Sequence, residues 1–182
     1  MIVFFGPAGA GKSVQGQLLA ARMNWRWLSA GQVLRDSHDM AIQKELTSGQ
    51  LVAHDTVTKV MGEAISRATN VDRLILDGFP RKLEQAQWLI DSQPEHNRAV
   101  AMVIVLEVPR DELLKRLEIR GRADDTPEAI DQRLTIYRQE MYPILNFFTE
   151  QNIPIAHIEG VGTVGQVHDR IVAELTSRGI AK

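Results

Sequence analysis

Cysteine is absent from the chain. Disulfides and thiolate metal sites are therefore excluded, a cysteine-held zinc among them, and the absence fits a cytoplasmic protein. Charge of one sign is not in excess either. Lys and Arg number 21 against 23 Asp and Glu, a formal net charge of −2. Such a balance gives no electrostatic case for a nucleic-acid partner. No apolar run approaches the length of a membrane span, so no membrane association is expected. The first residues, MIVFF, carry no charged n-region and no cleavage site and do not read as a signal peptide. His38, His54, His96, His157 and His168 are scattered, without metal-ligand spacing. There is no internal repeat, low-complexity tract or linker. What remains is one domain of 182 residues, 44% hydrophobic and 24% charged, ample for a single core under a charged surface.

The stretch Met1–Leu19 organises that domain. Ile2–Phe5 is a short run of β-branched and aromatic residues and reads as a buried strand. Gly6-Pro7-Ala8-Gly9-Ala10-Gly11-Lys12-Ser13 then fits G-x-x-x-x-G-K-[ST] without a mismatch. Val14, Leu18, Leu19 and Met23 follow at helical spacing. Strand, glycine loop and helix form the context in which this motif binds phosphate. The glycines let successive N–H groups turn toward one anion, and the helix adds its unpaired N–H groups and the positive end of its dipole. Lys12 brings a mobile cation to the β and γ phosphates, and Ser13 offers a hydroxyl to Mg²⁺.

Four further segments read as strands: Trp25–Leu28, Arg73–Asp77, Val100–Val108 and Ile153–Ile158. Between them lie amphipathic helices over 41–47, 56–68, 82–92, 111–118, 127–151 and 164–178, the last with Thr163 as N-cap. Alternating strands and helices predict a parallel sheet of about five strands covered on both faces, the α/β three-layer sandwich of phosphate-loop NTPases. Ligands of such sheets bind beyond the carboxyl ends of the strands. There the chain places the phosphate loop, Asp77-Gly78-Phe79-Pro80-Arg81, a helix carrying Arg116 and Arg120, and Glu159-Gly160-Val161-Gly162. One cleft is expected.

These motifs, with Leu28-Ser29-Ala30-Gly31-Gln32-Val33-Leu34-Arg35, Gly49-Gln50-Leu51-Val52 and Arg120-Gly121-Arg122-Ala123-Asp124-Asp125, resemble those of nucleoside monophosphate kinases of the adenylate kinase family, over nearly the whole chain. The resemblance implies a Mg²⁺-dependent enzyme that transfers the γ-phosphoryl of ATP to a nucleoside monophosphate, monomeric and with small nucleotides as partners. It implies one domain over 1–182, an acceptor-binding helical part about 29–68 and a very short lid about 116–126. Gly9, Ala10, Gly11, Lys12, Ser13 and Val14 would bind ATP, with Arg116 stacked on its adenine and Gly162 against it. Arg35 and Arg81 would hold the acceptor phosphate. Ala30, Gln50, Leu51, Val52, Gly78, Phe79, Pro80 and Gln85 would complete the acceptor site. Arg120 would act on the donor phosphates, and Arg122 and Arg133 would reach across both nucleotides. Lys12, Arg81, Arg120, Arg122 and Arg133 would thus form the transfer centre, an arrangement that suits arginine's planar fork. Ser13 would touch Mg²⁺ directly, and Asp77 would orient it through water.

Three features depart from the family pattern. The hydroxyl of Ser13 sits one position before the family's threonine. The lid lacks about four residues between Arg120 and Arg122, and an ungapped register would give Arg120's role to Arg116 and the stacking position to Glu112. Asp124 and Asp125 can hold the lid arginines or cap the helix from Pro127, roles that can coexist. Ala30 stands where adenylate kinases carry threonine, as UMP/CMP kinases do, whereas Gln85 matches adenylate kinases. A glutamine amide can meet adenine's N6 donor and N1 acceptor together, so AMP is the expected acceptor. UMP/CMP kinase is the alternative, and a non-enzymatic nucleotide sensor is a further one. Tyr137, in Ile130, Leu134, Tyr137, Met141, Ile144 and Leu145, reads as part of a packing stripe.

Overall fold

The structure, a computed structural model, describes residues 1–47, 52–120 and 126–181. The chain opens with β1 (Ile2–Phe5) and α1 (Lys12–Met23), followed by β2 (Arg26–Ser29), α2 (Ala30–Arg35), α3 (Met40–Thr47) and α4 (His54–Arg67). Then come β3 (Leu74–Asp77), α5 (Leu83–Asp91), the single turn α6 (Gln93–His96), β4 (Met102–Glu107) and α7 (Arg110–Arg120). The long α8 (Pro127–Glu150), β5 (Ile155–Glu159) and α9 (Val164–Ser177) complete it. The five strands pair in parallel in the order β2-β3-β1-β4-β5, as alternating strands and helices predict. Among the described residues no helix is long and apolar enough to cross a membrane.

Alternation along the strands explains the three layers. Val3 and Phe5, Leu74 and Leu76, and Val103 and Val105 face one core, which Met61 and Ile65 of α4 and Ala86 and Leu89 of α5 close. Ile2 and Phe4, Ile75, and Met102, Ile104 and Leu106 face the other, closed by Leu19 of α1, Leu113 and Leu117 of α7 and Ile171 and Leu175 of α9. Helix α8 serves both. Ile130 and Leu134 join the α7–α9 side, whereas Met141, Ile144, Leu145 and Phe148 join the α4–α5 side. Phe148 is fully buried and meets Phe5 edge-on, with ring centroids 6.4 Å apart. Phe148→Ala is expected to cost about 3–5 kcal/mol of stability, read as a lower urea midpoint with unchanged slope.

This topology creates the site. From β1 the chain leaves to α1 on one face; from neighbouring β3 it leaves to α5 on the other. The crevice between the carboxyl ends of these two strands is the switch point at which doubly wound sheets bind ligands. Two local expectations are also settled. Thr163 caps α9 in a full capping box with Gln166. The N-cap of α8 is Thr126, whose hydroxyl accepts from Ala129 N–H, so the cap considered for Asp124 or Asp125 belongs to their neighbour. Asp124 and Asp125 themselves lie outside the described residues.

Candidate active site

The loop after β1 is held in shape by backbone that only glycine adopts easily. Gly9 has φ +84° and Gly11 has φ +95°. A Cβ on Gly9 would also lie 3.1 Å from Leu117 of α7, so the loop can approach that helix only without a side chain. Helix α1 begins at Lys12 with no side-chain cap and no acidic residue in its first turn. Its leading N–H groups thus lack an internal anion, as a phosphate site requires. Lys12 Nζ donates to the loop carbonyls of Gly6 (2.6 Å) and Pro7 (2.9 Å).

Ser13 and Asp77 meet across the switch point. Ser13 Oγ donates to Asp77 Oδ2 at 2.6 Å. Asp77 ends β3 in register with Phe4 of β1 and Ser29 of β2, and it is only 4% exposed. A hydroxyl and a carboxylate are hard oxygen donors, the set Mg²⁺ prefers.

Two cavities flank the loop. The first, about 290 Å³, lies between the loop, the end of β3 and α8, and brings together Lys12, Gly78, Pro80, Arg81 and Arg133. Arg81 Nε donates to Gly78 O at 2.9 Å, and Arg133 Nε donates to Ala129 O at 3.2 Å. Both arginines are thus tied at the inner nitrogen beside the cavity, and a guanidinium is the group that grips phosphate bidentately. Gly78 has φ +76°, and a Cβ there would lie 3.0 Å from Arg81 Nη2, so this turn is cleared for the guanidinium. The Phe79–Pro80 peptide is cis.

The second cavity, about 260 Å³, lies on the other side of the same loop. Gly9, Ala10, Gly11 and Val14 form one wall, Glu112 and Arg116 of α7 another, and Gly160, Gly162, Val164 and Val167 the rest. Gln15, buried behind it, donates from Nε2 to Val164 O at 2.9 Å. Its Oε1 lies 3.3 Å from His168 Nδ1. Burial, then the nearby Arg22, lowers the His168 pKa, and because Gln15 Oε1 can only accept, Nδ1–H is the donor.

The remaining expected residues fall as follows. Ala30 is buried at the start of α2, and Arg35, at the end of that helix, is steadied by Gln32 at 2.9 Å. Phe79 and Gln85 are buried beside Arg81. Ala30, Arg35, Val52, Phe79 and Gln85 line neither of the two cavities. Gln50, Leu51, Arg122 and the Arg120 side chain, and with them residues 121–125 of the expected lid, lie outside the described residues. Gln15 and Tyr137 were not read from sequence as site residues, and Glu112 was one only in the ungapped register. Tyr137 does pack against the core, but it also lines the first cavity. Its buried hydroxyl has no hydrogen-bond partner among the described residues, and burial raises its pKa. Among the described residues no group of His, Cys, Asp and Glu side chains could hold a metal by itself.

Comparison with known proteins agrees with this geometry. Residues 4–153 match the family model described as adenylate kinase. The chain is 33% identical to an adenylate kinase of Mycolicibacterium paratuberculosis over 180 residues, 96% of this chain and 98% of the relative. It is 32% identical to one of Thermus thermophilus over 184 residues, 96% of each. It is 33% identical to one of Porphyromonas gingivalis over 182 residues, 93% of this chain and 92% of the relative. A phosphate loop with a basic cavity on one side and a glycine-rimmed cavity on the other, in a chain so matched, belongs to the adenylate kinase family.

Proposed function

We infer that the chain catalyses reversible transfer of the γ-phosphoryl of ATP to AMP, giving two ADP. The observation that carries this reading is the pair of cavities divided by one phosphate loop, with Lys12, Arg81 and Arg133 gathered on one side. Phosphoryl transfer requires little covalent help from protein. It requires two polyanions held in line and charge placed around the group in flight. In this reading the cavity of Gly160 and Gly162 takes the donor nucleoside, and the loop N–H groups and Lys12 take its phosphates. Arg81 and Arg133 carry the acceptor phosphate and the transferring group. Arg120 and Arg122, from the short lid of about 116–126, add charge on closure, which keeps water from the phosphoryl group. Ser13 and Asp77 fit Mg²⁺, Ser13 directly and Asp77 through water, and the ion would neutralise charge on the donor phosphates.

Gln85 supports AMP over UMP as the acceptor. At 3% exposure its amide does not point to solvent. Its Oε1 accepts Arg81 N–H at 2.8 Å, which fixes which end of the amide is oxygen, since a backbone N–H needs an acceptor. The Nε2 end is therefore a donor, suited to adenine N1, and to cytosine N3, and opposed to uracil's N3–H, so the CMP arm of the test is decided by the measurement. The test is kcat/KM for AMP, CMP and UMP in the native chain and in Gln85→Glu. That variant keeps the acceptor for Arg81 and loses the donor. AMP should lead in the native chain and fall about 10- to 100-fold in the variant, the scale of one or two buried polar groups left unpaired. A pyrimidine lead in the native chain would move it to the UMP/CMP kinases.

A further inference from the structure

The arginines of the site are held in two different ways. Arg81 is tied at Nε to the carbonyl of Gly78, in its own turn. Arg116 is tied at two nitrogens by two separate elements. Its Nε donates to Glu112 Oε1 at 2.8 Å, and its Nη2 donates to Gly160 O at 2.9 Å. Nε and Nη2 form one edge of the planar guanidinium, and both bonds lie in its plane. That edge is spent on protein.

An isolated i, i+4 pair on a helix surface would carry no argument, since such pairs contribute little. Here the pair is only 25% and 32% exposed, and the third partner comes from the loop after β5. Gly160 is itself fixed, its N–H donating to Glu107 O at 2.7 Å, and a Cβ on it would lie 2.6 Å from Val108. Glu112, Arg116 and Gly160 all line the 260 Å³ cavity, opposite Val14 and the phosphate loop. A guanidinium clamped by one edge against a rigid carbonyl offers its flat face, and flat cationic faces stack on aromatic rings. The neighbouring carboxylate also offsets its charge, so covering it with a base is less costly.

We propose that Glu112 is a positioning residue for the donor nucleotide: it clamps Arg116 against Gly160 so that the guanidinium face meets the base of ATP. The proposal rests on reading this cavity as the donor side. Its consequence is that Glu112 acts only through Arg116.

A double-mutant cycle tests this. KM for ATP and for AMP are measured separately, each at saturating partner, in the native chain, Glu112→Ala, Arg116→Ala and the double variant, with thermal midpoints recorded for all four. Arg116→Ala should raise KM for ATP about tenfold, the scale of one stacking contact, and leave KM for AMP within about twofold. Glu112→Ala should reproduce most of that rise. The double variant should be no worse than Arg116→Ala alone, because the clamp has nothing left to hold. Glu112→Gln keeps an acceptor for Nε–H and should recover part of the ATP affinity. Additive effects, or an unchanged KM for ATP in Glu112→Ala, would overturn the clamp. A rise in KM for AMP instead of ATP would overturn the donor assignment beneath it.

Discussion

Lys12→Met is expected to reduce phosphoryl transfer by a factor on the order of 10² or more while leaving the fold intact, the scale of losing one preorganised electrostatic stabiliser. The reasoning starts from where the ammonium sits. In the structure it rests on the carbonyls of Gly6 and Pro7, at 2.6 and 2.9 Å, in the loop that it will serve. Gly6 and Lys12 line the first cavity, so water can reach the place of the ammonium when it is removed, and the stability change should stay within about 1 kcal/mol. Nothing comparable replaces it during transfer, when charge spreads over the moving phosphoryl group. Methionine keeps the length of the side chain and none of its charge. The loss should fall on kcat more than on KM for ATP, because the loop N–H groups and the second cavity still bind the ground state. Initial rates in a coupled assay, beside a thermal unfolding curve, decide the matter. Turnover near that of the native chain would remove the phosphate-loop assignment.

Much of the frame was legible in the sequence because its elements carry strong local signals. β1, the loop and α1 follow from one motif and its flanks. β3 and β4 follow from apolar runs buried on both faces. The residues missed have weaker signals. Helix α2 is six residues long, Ala30–Arg35, too short to show a period, and it exists by packing against α4. The predicted helix over 82–92 ends at Asp91, and a separate turn over Gln93–His96 follows, with Pro94 at its start.

The site divides in the same way. Ser13 and Asp77 were each assigned a role, but their 2.6 Å contact is a property of the order β3-β1 in the sheet. Glu112 enters the sequence reading only as the stacking residue of the ungapped register; its place beside Arg116 as a clamp needs α7 to lie against the loop after β5. Tyr137 sits in the apolar stripe of α8, as the periodicity says. Its place in the cavity wall arises because α8 passes from one core to the other beside the phosphate loop. Local pattern thus finds the residues, and topology decides which of them meet.

Asp77→Asn is the substitution in which stability and activity are expected to move apart. The carboxylate ends a central strand at 4% exposure, with strand partners on both sides. Its side-chain partner among the described residues is neutral, the hydroxyl of Ser13. A buried carboxylate without a paired cation is costly to the fold, and asparagine of the same shape can still accept from Ser13 through Oδ1. The variant should therefore unfold at the same temperature as the native chain or higher. Activity should fall about 10- to 100-fold, the scale for an outer-sphere partner of a metal, since the amide cannot orient metal-bound water as a carboxylate does. In the role proposed for Asp77 the loss would run through Mg²⁺, so the Mg²⁺ concentration for half-maximal rate should rise at least severalfold, and excess Mg²⁺ should restore part of the rate. The decisive measurement is a Mg²⁺ titration of initial rates beside a thermal midpoint. A lowered midpoint with unchanged Mg²⁺ dependence would make Asp77 a structural support for Ser13 and the strand end, and would take it out of the metal site.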